Sequence, residues 1–360
     1  MKQQYILFLL ITSIGFAQIP SGYYNDANGK TGSNLKTALH LIIDEVNDLN
    51  NQAFHDTSVT YGDLWTLYQT SDIRNDGKVW DMYSNCNFTF GTNQDTGGSV
   101  SGECEKYNRE HTFPKSWFGD INNHPMQADA FHIIPSDKSV NALRANYAYG
   151  EVSTPSSTTG NGSKLGTSSI SGPTALVFEP IDIYKGDIAR GLFYVAVRYQ
   201  DEIASWELNN SNGNSMLDGS SFKVFEQWAL DMLYDWHIND PVSDKERDRN
   251  EEIFKHQNNR NPFIDSPEYV LSIWGNLLST QNHSISSIKM HPNPVQDNFL
   301  YFSATQNLEV IIYNVIGKQV LVKNIDKKNN SVDISNLSNG IYVVKLTSKQ
   351  GSSLKKLIKQ

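Results

Sequence analysis

The chain of 360 residues holds two cysteines, Cys86 and Cys104. They lack the close CxxC spacing of a thiolate zinc site, which excludes a zinc finger or ribbon. Positive charge is scarce as well. Thirty Lys and Arg stand against 39 Asp and Glu, a formal net charge of −9, so the extended basic face of a tight nucleic-acid binder is missing. Mean hydropathy is −0.47, and no apolar run is long enough to cross a bilayer, so no membrane span is expected in the mature protein. The nearest approach is the N-terminus, where Lys2 leads into Tyr5-Ile6-Leu7-Phe8-Leu9-Leu10-Ile11. Gly15 and Ala17 then set small residues at −3 and −1 of a cut before Gln18, the pattern of a secretory signal peptide over residues 1–17.

Export gives the two cysteines a meaning. An oxidising compartment favours a Cys86–Cys104 bridge, worth roughly 3 kcal/mol in the chain-entropy picture. Two free, buried thiols are the alternative. The charge is also unevenly placed. Residues 18–283 carry 19 Lys and Arg against 35 Asp and Glu, a net of −16, whereas residues 284–360 carry 10 against 4, a net of +6. An acidic segment that handles phosphate needs a local cation cluster or a metal, and its binding should be weak and sensitive to salt.

Periodicity divides the chain further. Ser33-Asn34 opens a helix that places Leu35, Leu39, Ile42, Val46 and Leu49 at helical spacing. Trp65, Tyr68, Trp80 and Tyr83 read as core aromatics. Two Gly/Ser/Thr-rich runs, 93–102 and 153–171, read as loops. Helices are expected from Lys185 through Tyr199, over 221–236, and from a capping box of Ser243 with Glu246 to near Asn259. The pattern is α+β: a helix-rich domain over 18–276, then a linker over 277–284. Beyond it, short β-branched strands at 309–313, 319–322, 340–346 and 354–358 make a small all-β sandwich domain over 285–360.

The chemistry is concentrated in Arg109-Glu110-His111-Thr112-Phe113-Pro114-Lys115 and in a later helix bearing Asn141 and Arg144. Hydrolysis of a phosphodiester needs a base for water, and a histidine, here His111, suits that role because the ordinary imidazole pKa lies near neutrality. It also needs a cation for the developing charge, and Glu110 and Asn141 supply the oxygen ligands that hard Mg²⁺ prefers. Neighbours on a regular strand point to opposite faces, so Glu110 and His111 require a strand end or a bulge to act together. Asn141 and Arg144, three apart on a helix, share a side, which puts Arg144 in reach of phosphate. Arg109 and His132 are further candidates for substrate contact.

These residues, with Asp129-Ala130-Phe131-His132, Val79-Trp80-Asp81-Met82-Tyr83-Ser84, Lys185-Gly186-Asp187-Ile188-Ala189-Arg190 and Asn259-Arg260-Asn261-Pro262-Phe263-Ile264-Asp265, resemble the bacterial endonuclease I family, which has a ββα-metal (His-Me finger) core. The resemblance covers about residues 22–270. It implies His111 as general base, one Mg²⁺ (Mn²⁺ or Ca²⁺ as substitutes) on Glu110 and Asn141, and largely non-specific cleavage of DNA that leaves 5′-phosphates, with RNA open as a second substrate. Separately, His291-Pro292-Asn293-Pro294-Val295, Tyr313-Asn314 with Gly317-Lys318, and Asn339-Gly340-Ile341-Tyr342-Val343-Val344 resemble the C-terminal sorting domain of type IX secretion in Bacteroidetes. That resemblance implies passage through the periplasm and then secretion or display at the cell surface, with the secretion machinery as partner. Two other readings stay open at this point: a metal-dependent phosphodiesterase for small substrates, and a surface-binding module without catalysis.

Overall fold

The computed structural model describes residues 19–44, 55–278, 288–304, 307–315, 317–348 and 351–360. The expected signal peptide and most of the expected linker lie outside the described residues. Helix α1 (Gly32–Ile43) buries Leu35, Leu39 and Ile42 on one side. It stops at Asp44, whose ψ of 173° is extended; Val46 and Leu49, expected on the same helix, lie outside the described residues. Helix α2 (Leu64–Ser71) comes next.

The central unit is short. Strand β1 (Tyr107–His111) pairs antiparallel with β2 (Ile133–Asp137) in an unbroken register, Glu110 opposite Ile134 and His111 opposite Ile133. Helix α3 (Lys138–Arg144) leaves β2 directly. It starts there because the Asp137 carboxylate accepts from the Ser139 and Val140 amides, satisfying N–H groups that a helix start leaves open. Strand, strand and helix form one ββα unit.

Strands β3 (Ala148–Tyr149), β4 (Val152–Thr158), β5 (Lys164–Ser168) and β6 (Val177–Glu179) build a sheet in the order β3-β6-β5-β4. The run expected as a loop over 153–171 is therefore a hairpin. Strand β4 lies at the edge and is almost wholly exposed, so it needs no apolar alternation, the signal by which a strand is read.

Helix α4 (Lys185–Arg198) is the hub of the core, with Ile188, Leu192, Phe193, Val195 and Val197 all buried. A helix buried on nearly every side needs apolar residues on most of its surface, and the cations of this one, Lys185, Arg190 and Arg198, are buried in ion pairs. Around and beyond it come α5 (Ser211–Asn214), α6 (Gln227–Asn239), α7 (Asp244–Gln257), α8 (Pro262–Asp265) and α9 (Tyr269–Trp274). Helix α6 starts later than its apolar pattern suggests. Val224 has a φ of 71° and Phe225 bridges to Leu217, so the chain is not helical before Gln227. The capping box of Ser243 and Glu246 does open α7. Leu278, expected in the linker, is buried in the same core, and Leu277 packs against it.

The tail folds around its own core. Strands β7 (Met290–His291), β8 (Phe299–Phe302), β9 (Leu308–Asn314), β10 (Gln319–Ile325), β11 (Ser331–Asp333), β12 (Gly340–Ser348) and β13 (Gly351–Lys359) form two sheets, β10-β9-β12-β13 and β11-β8-β7. Leu300 and Phe302 from one sheet meet Val310, Ile312, Val344 and Leu346 from the other. The chain is thus α+β, followed by an all-β sandwich.

Candidate active site

Strand β1 presents two faces with different chemistry. Arg109 and His111 share one, because residues two apart on a strand point the same way; Asn108 and Glu110 share the other. The register carries no bulge, and the strand ends at His111. A strand end, one of the two ways in which neighbours can serve one site, is what the fold provides. That end is pinned. The Thr112 amide donates to the His132 carbonyl at 2.8 Å, and the Arg144 guanidinium donates to the carbonyls of His111 at 3.1 Å and Thr112 at 2.8 Å.

On the first face His111 is 6 % exposed. Its Nε2 is sealed from solvent and has no hydrogen-bond partner. Burial, helped by the neighbouring His132, holds the imidazole pKa well below its ordinary value, so the ring is neutral at pH 7. Rings of Tyr61 at 5.5 Å, His132 at 5.5 Å and Phe118 at 6.3 Å surround it. His132 is completely buried, with Nε2 against the Met126 carbonyl at 2.9 Å. It stands behind His111, and the substrate contact expected of it is not available in this arrangement. Arg109 is half-buried beside Tyr61.

On the second face the Glu110 carboxylate is 3 % exposed. Its Oε1 lies 3.3 Å from the Tyr83 hydroxyl and 3.2 Å from Arg144. Burial raises the carboxyl to about 7, against the opposing pull of Arg144. Helix α3 docks here through two bonds: Asn141 Nδ2 donates to Asn108 Oδ1 at 2.9 Å, and one turn on Arg144 meets Glu110. This brings Asn141 to the Glu110 face and leaves the amide oxygen of Asn141 as the atom offered to a cation. A carboxylate and an amide oxygen on one face suit a hard divalent ion that keeps part of its water. Arg144, expected to reach phosphate, is completely buried. It stacks on Tyr149 with Cζ 4.6 Å from the ring centroid and braces the strand end instead. Among the described residues, Cys86, Cys104 and Asp137 also approach as metal ligands would, but the two sulfurs are bonded to each other. The expected disulfide is formed.

Several residues escaped the sequence reading. Asn108 was findable, since it lies two residues before Glu110 on the same strand face. Tyr61 and Tyr149 had no local signal, because only the tertiary fold carries them to β1; Tyr83, read as a core aromatic, also reaches Glu110. Asp81 accepts the Asp137 amide at 2.9 Å and so steadies the start of α3. The run Lys185–Arg198, in contrast, begins with scaffold. Lys185 pairs with Glu151 and Glu179, and Arg190 with Glu246.

Comparison with known protein families matches residues 31–268 to Endonuclease I and residues 289–360 to a secretion system C-terminal sorting domain. Among curated proteins, an extracellular ribonuclease of Bacillus subtilis (strain 168) is 37% identical over 258 residues, covering 70% of this chain and 78% of the relative. An extracellular ribonuclease of Bacillus amyloliquefaciens is 35% identical over 257 residues, with the same coverage of 70% and 78%. An acidic chain with an apolar core around α4 and a ββα unit on its flank, matched over two thirds of its length, belongs to the endonuclease I family of nucleases and carries a secretion sorting domain at its C-terminal end.

Proposed function

We propose that the protein is an exported, divalent-metal-dependent endonuclease that hydrolyses DNA and RNA with little sequence preference. The observation that carries this reading is the His111 ring: neutral, and held at the end of the strand that also carries Glu110. The His111 imidazole takes a proton from water, and the water oxygen bonds to phosphorus. The P–O3′ bond breaks, and the leaving oxygen collects a proton to become a 3′-hydroxyl beside a 5′-phosphate. Glu110 and Asn141 would hold Mg²⁺, with Mn²⁺ or Ca²⁺ as substitutes, and the ion would stabilise the charge that builds on the phosphate oxygens. Arg144 keeps the strand end in place through the His111 and Thr112 carbonyls, and Arg109 faces substrate. RNA joins DNA as substrate because both Bacillus relatives are described as ribonucleases.

Residues 1–17 serve as the signal peptide, 18–276 as the nuclease unit and 285–360 as the tail recognised by the type IX machinery. The test is plasmid nicking and RNA digestion by the mature protein, wild type beside His111→Ala, with Mg²⁺ and then with EDTA. Cleavage that both EDTA and the substitution abolish is expected, the substitution alone costing about 10²–10⁴-fold. A fully active His111→Ala variant would move the base elsewhere.

A further inference from the structure

Seven of the eight arginines in the chain are ion-paired with Asp or Glu. Arg109 is the exception: among the described residues no carboxylate lies within ion-pair distance of it. In a segment with 35 acidic residues, a guanidinium left unpaired beside the reacting strand end needs a physical cause. Two aromatic rings provide it. The Arg109 Cζ lies 3.4 Å from the Tyr61 ring centroid and 4.4 Å from that of Trp65, and one terminal nitrogen donates to the Tyr61 carbonyl. Ring faces attract the cation without cancelling its charge. The sandwich fixes the plane of the group and leaves the other N–H donors along its edge for an anion.

The sandwich is also in register with the base. Arg109 and His111 lie on one strand face, about 6.6 Å apart along the chain. The Tyr61 ring that covers Arg109 lies against the His111 imidazole too, at 5.5 Å and an interplanar angle of 35°. Tyr61, Trp65 and Arg109 are all half-buried, so they remain open to solvent on one side.

We propose that Trp65, Arg109 and Tyr61 form a second phosphate subsite, in which Arg109 binds the phosphodiester next to the scissile one on the same strand. Tyr61 is a positioning residue that holds the guanidinium and the imidazole in fixed relation. The subsite rests on the nuclease reading above and names its substrate class: a polynucleotide strand with at least two consecutive phosphodiesters. A contact of this kind reads the backbone and carries no sequence information.

The test compares the mature wild type with Arg109→Gln, Tyr61→Leu and Tyr61→Phe on a short single-stranded oligonucleotide, with Mg²⁺, between 0.1 and 0.3 M salt. Arg109→Gln should lower kcat/KM about tenfold, mostly through KM. The plot of log kcat/KM against log salt should become shallower by about 0.7, the share of one phosphate contact on a single strand. Tyr61→Leu should move both quantities in the same direction, and Tyr61→Phe, which keeps the ring, should restore them. An unchanged salt slope in Arg109→Gln overturns the subsite even while the wild type cuts normally, and so does a loss confined to kcat. If Tyr61→Leu does not fold, the Arg109→Gln slope still decides. If the wild type leaves the strand uncut, the nuclease reading fails by itself, and equilibrium binding of the uncut strand over the same salt range decides the role of Arg109.

Discussion

Replacing both Cys86 and Cys104 by Ser should destabilise the nuclease domain by about 4 kcal/mol. The bridge spans 18 residues, and closing a loop of that length removes about 3 kcal/mol of unfolded-state entropy. The rest comes from what the bridge holds still. The Cys104 amide donates to Asp137 Oδ2 at 2.6 Å, a bond to a charged acceptor, and loosening it costs about 1 kcal/mol. The other oxygen of Asp137 caps α3 through the Ser139 and Val140 amides, so the bridge supports the helix that carries Asn141. In a domain of this size each kcal/mol moves the melting temperature by about 2–4 °C, which gives a fall of about 8–16 °C. Calorimetry of the double variant, beside the wild type with and without a thiol reductant, measures this directly. Reduced wild type should melt with the variant. A variant that melts within about 2 °C of the oxidised wild type would refute both the entropy argument and the link from Cys104 to α3.

Other substitutions probe groups whose burial is unusual. Lys36 is completely buried on α1, where burial lowers its pKa to about 7. The unfolded chain binds that proton between about pH 7 and 10.5 and the folded one does not, so wild-type stability should climb with pH across this window. Lys36→Met should remove the climb and stabilise by about 3 kcal/mol at pH 7 in urea melts, after allowance for the lost bond to the Ser221 carbonyl. Gly186 has no room for a side chain, since a Cβ there would collide with the Asp240 carbonyl and the Arg190 guanidinium. Gly186→Ala should therefore cost about 1–3 kcal/mol in the same melts. Arg144→Met strands the Glu110 carboxylate and two backbone carbonyls in the interior, a loss of about 3–5 kcal/mol.

Much of this was legible in the sequence, and the failures have physical reasons. The capping box of α7 was read from Ser243 and Glu246 because both partners lie within one turn. The tail strands were read because β-branched residues alternate there between core and surface. Glu110, His111 and Asn141 were singled out as a local motif, and the fold brings all three to the end of β1 and the adjoining face of α3. The exposed hairpin at 152–168 was missed because neither of its faces is strongly apolar. Arg144 was misplaced for a different reason. Spacing shows which side of a helix a residue occupies, but not whether that side faces solvent or the underside of a strand. His132 has the same history: its position near the motif was evident, and its burial was not. Tyr61, 50 residues before His111, depended on a tertiary contact that no local pattern encodes.

The acidic balance of the nuclease segment sets one further expectation. Many of its charges are internal: Asp72 with Arg249, Glu246 with Arg190, Asp265 with Arg260 and Glu179 with Lys185 neutralise one another in or near the core. These pairs present little field to a substrate. What remains is a net of −16 over residues 18–283, which repels a polyanion at long range. That repulsion weakens as salt rises, because the screening length falls from about 30 Å at 0.01 M to about 10 Å at 0.1 M. Contacts made directly at the strand end act at shorter range and fade later. The rate on an oligonucleotide should therefore rise with salt up to about 0.1 M and fall beyond it, where displacement of ions at each phosphate contact dominates. Initial rates across that range at fixed Mg²⁺ measure the profile. A steady fall from the lowest salt upward would mean that local cations already outweigh the acidic surface, and the repulsion argument would be wrong.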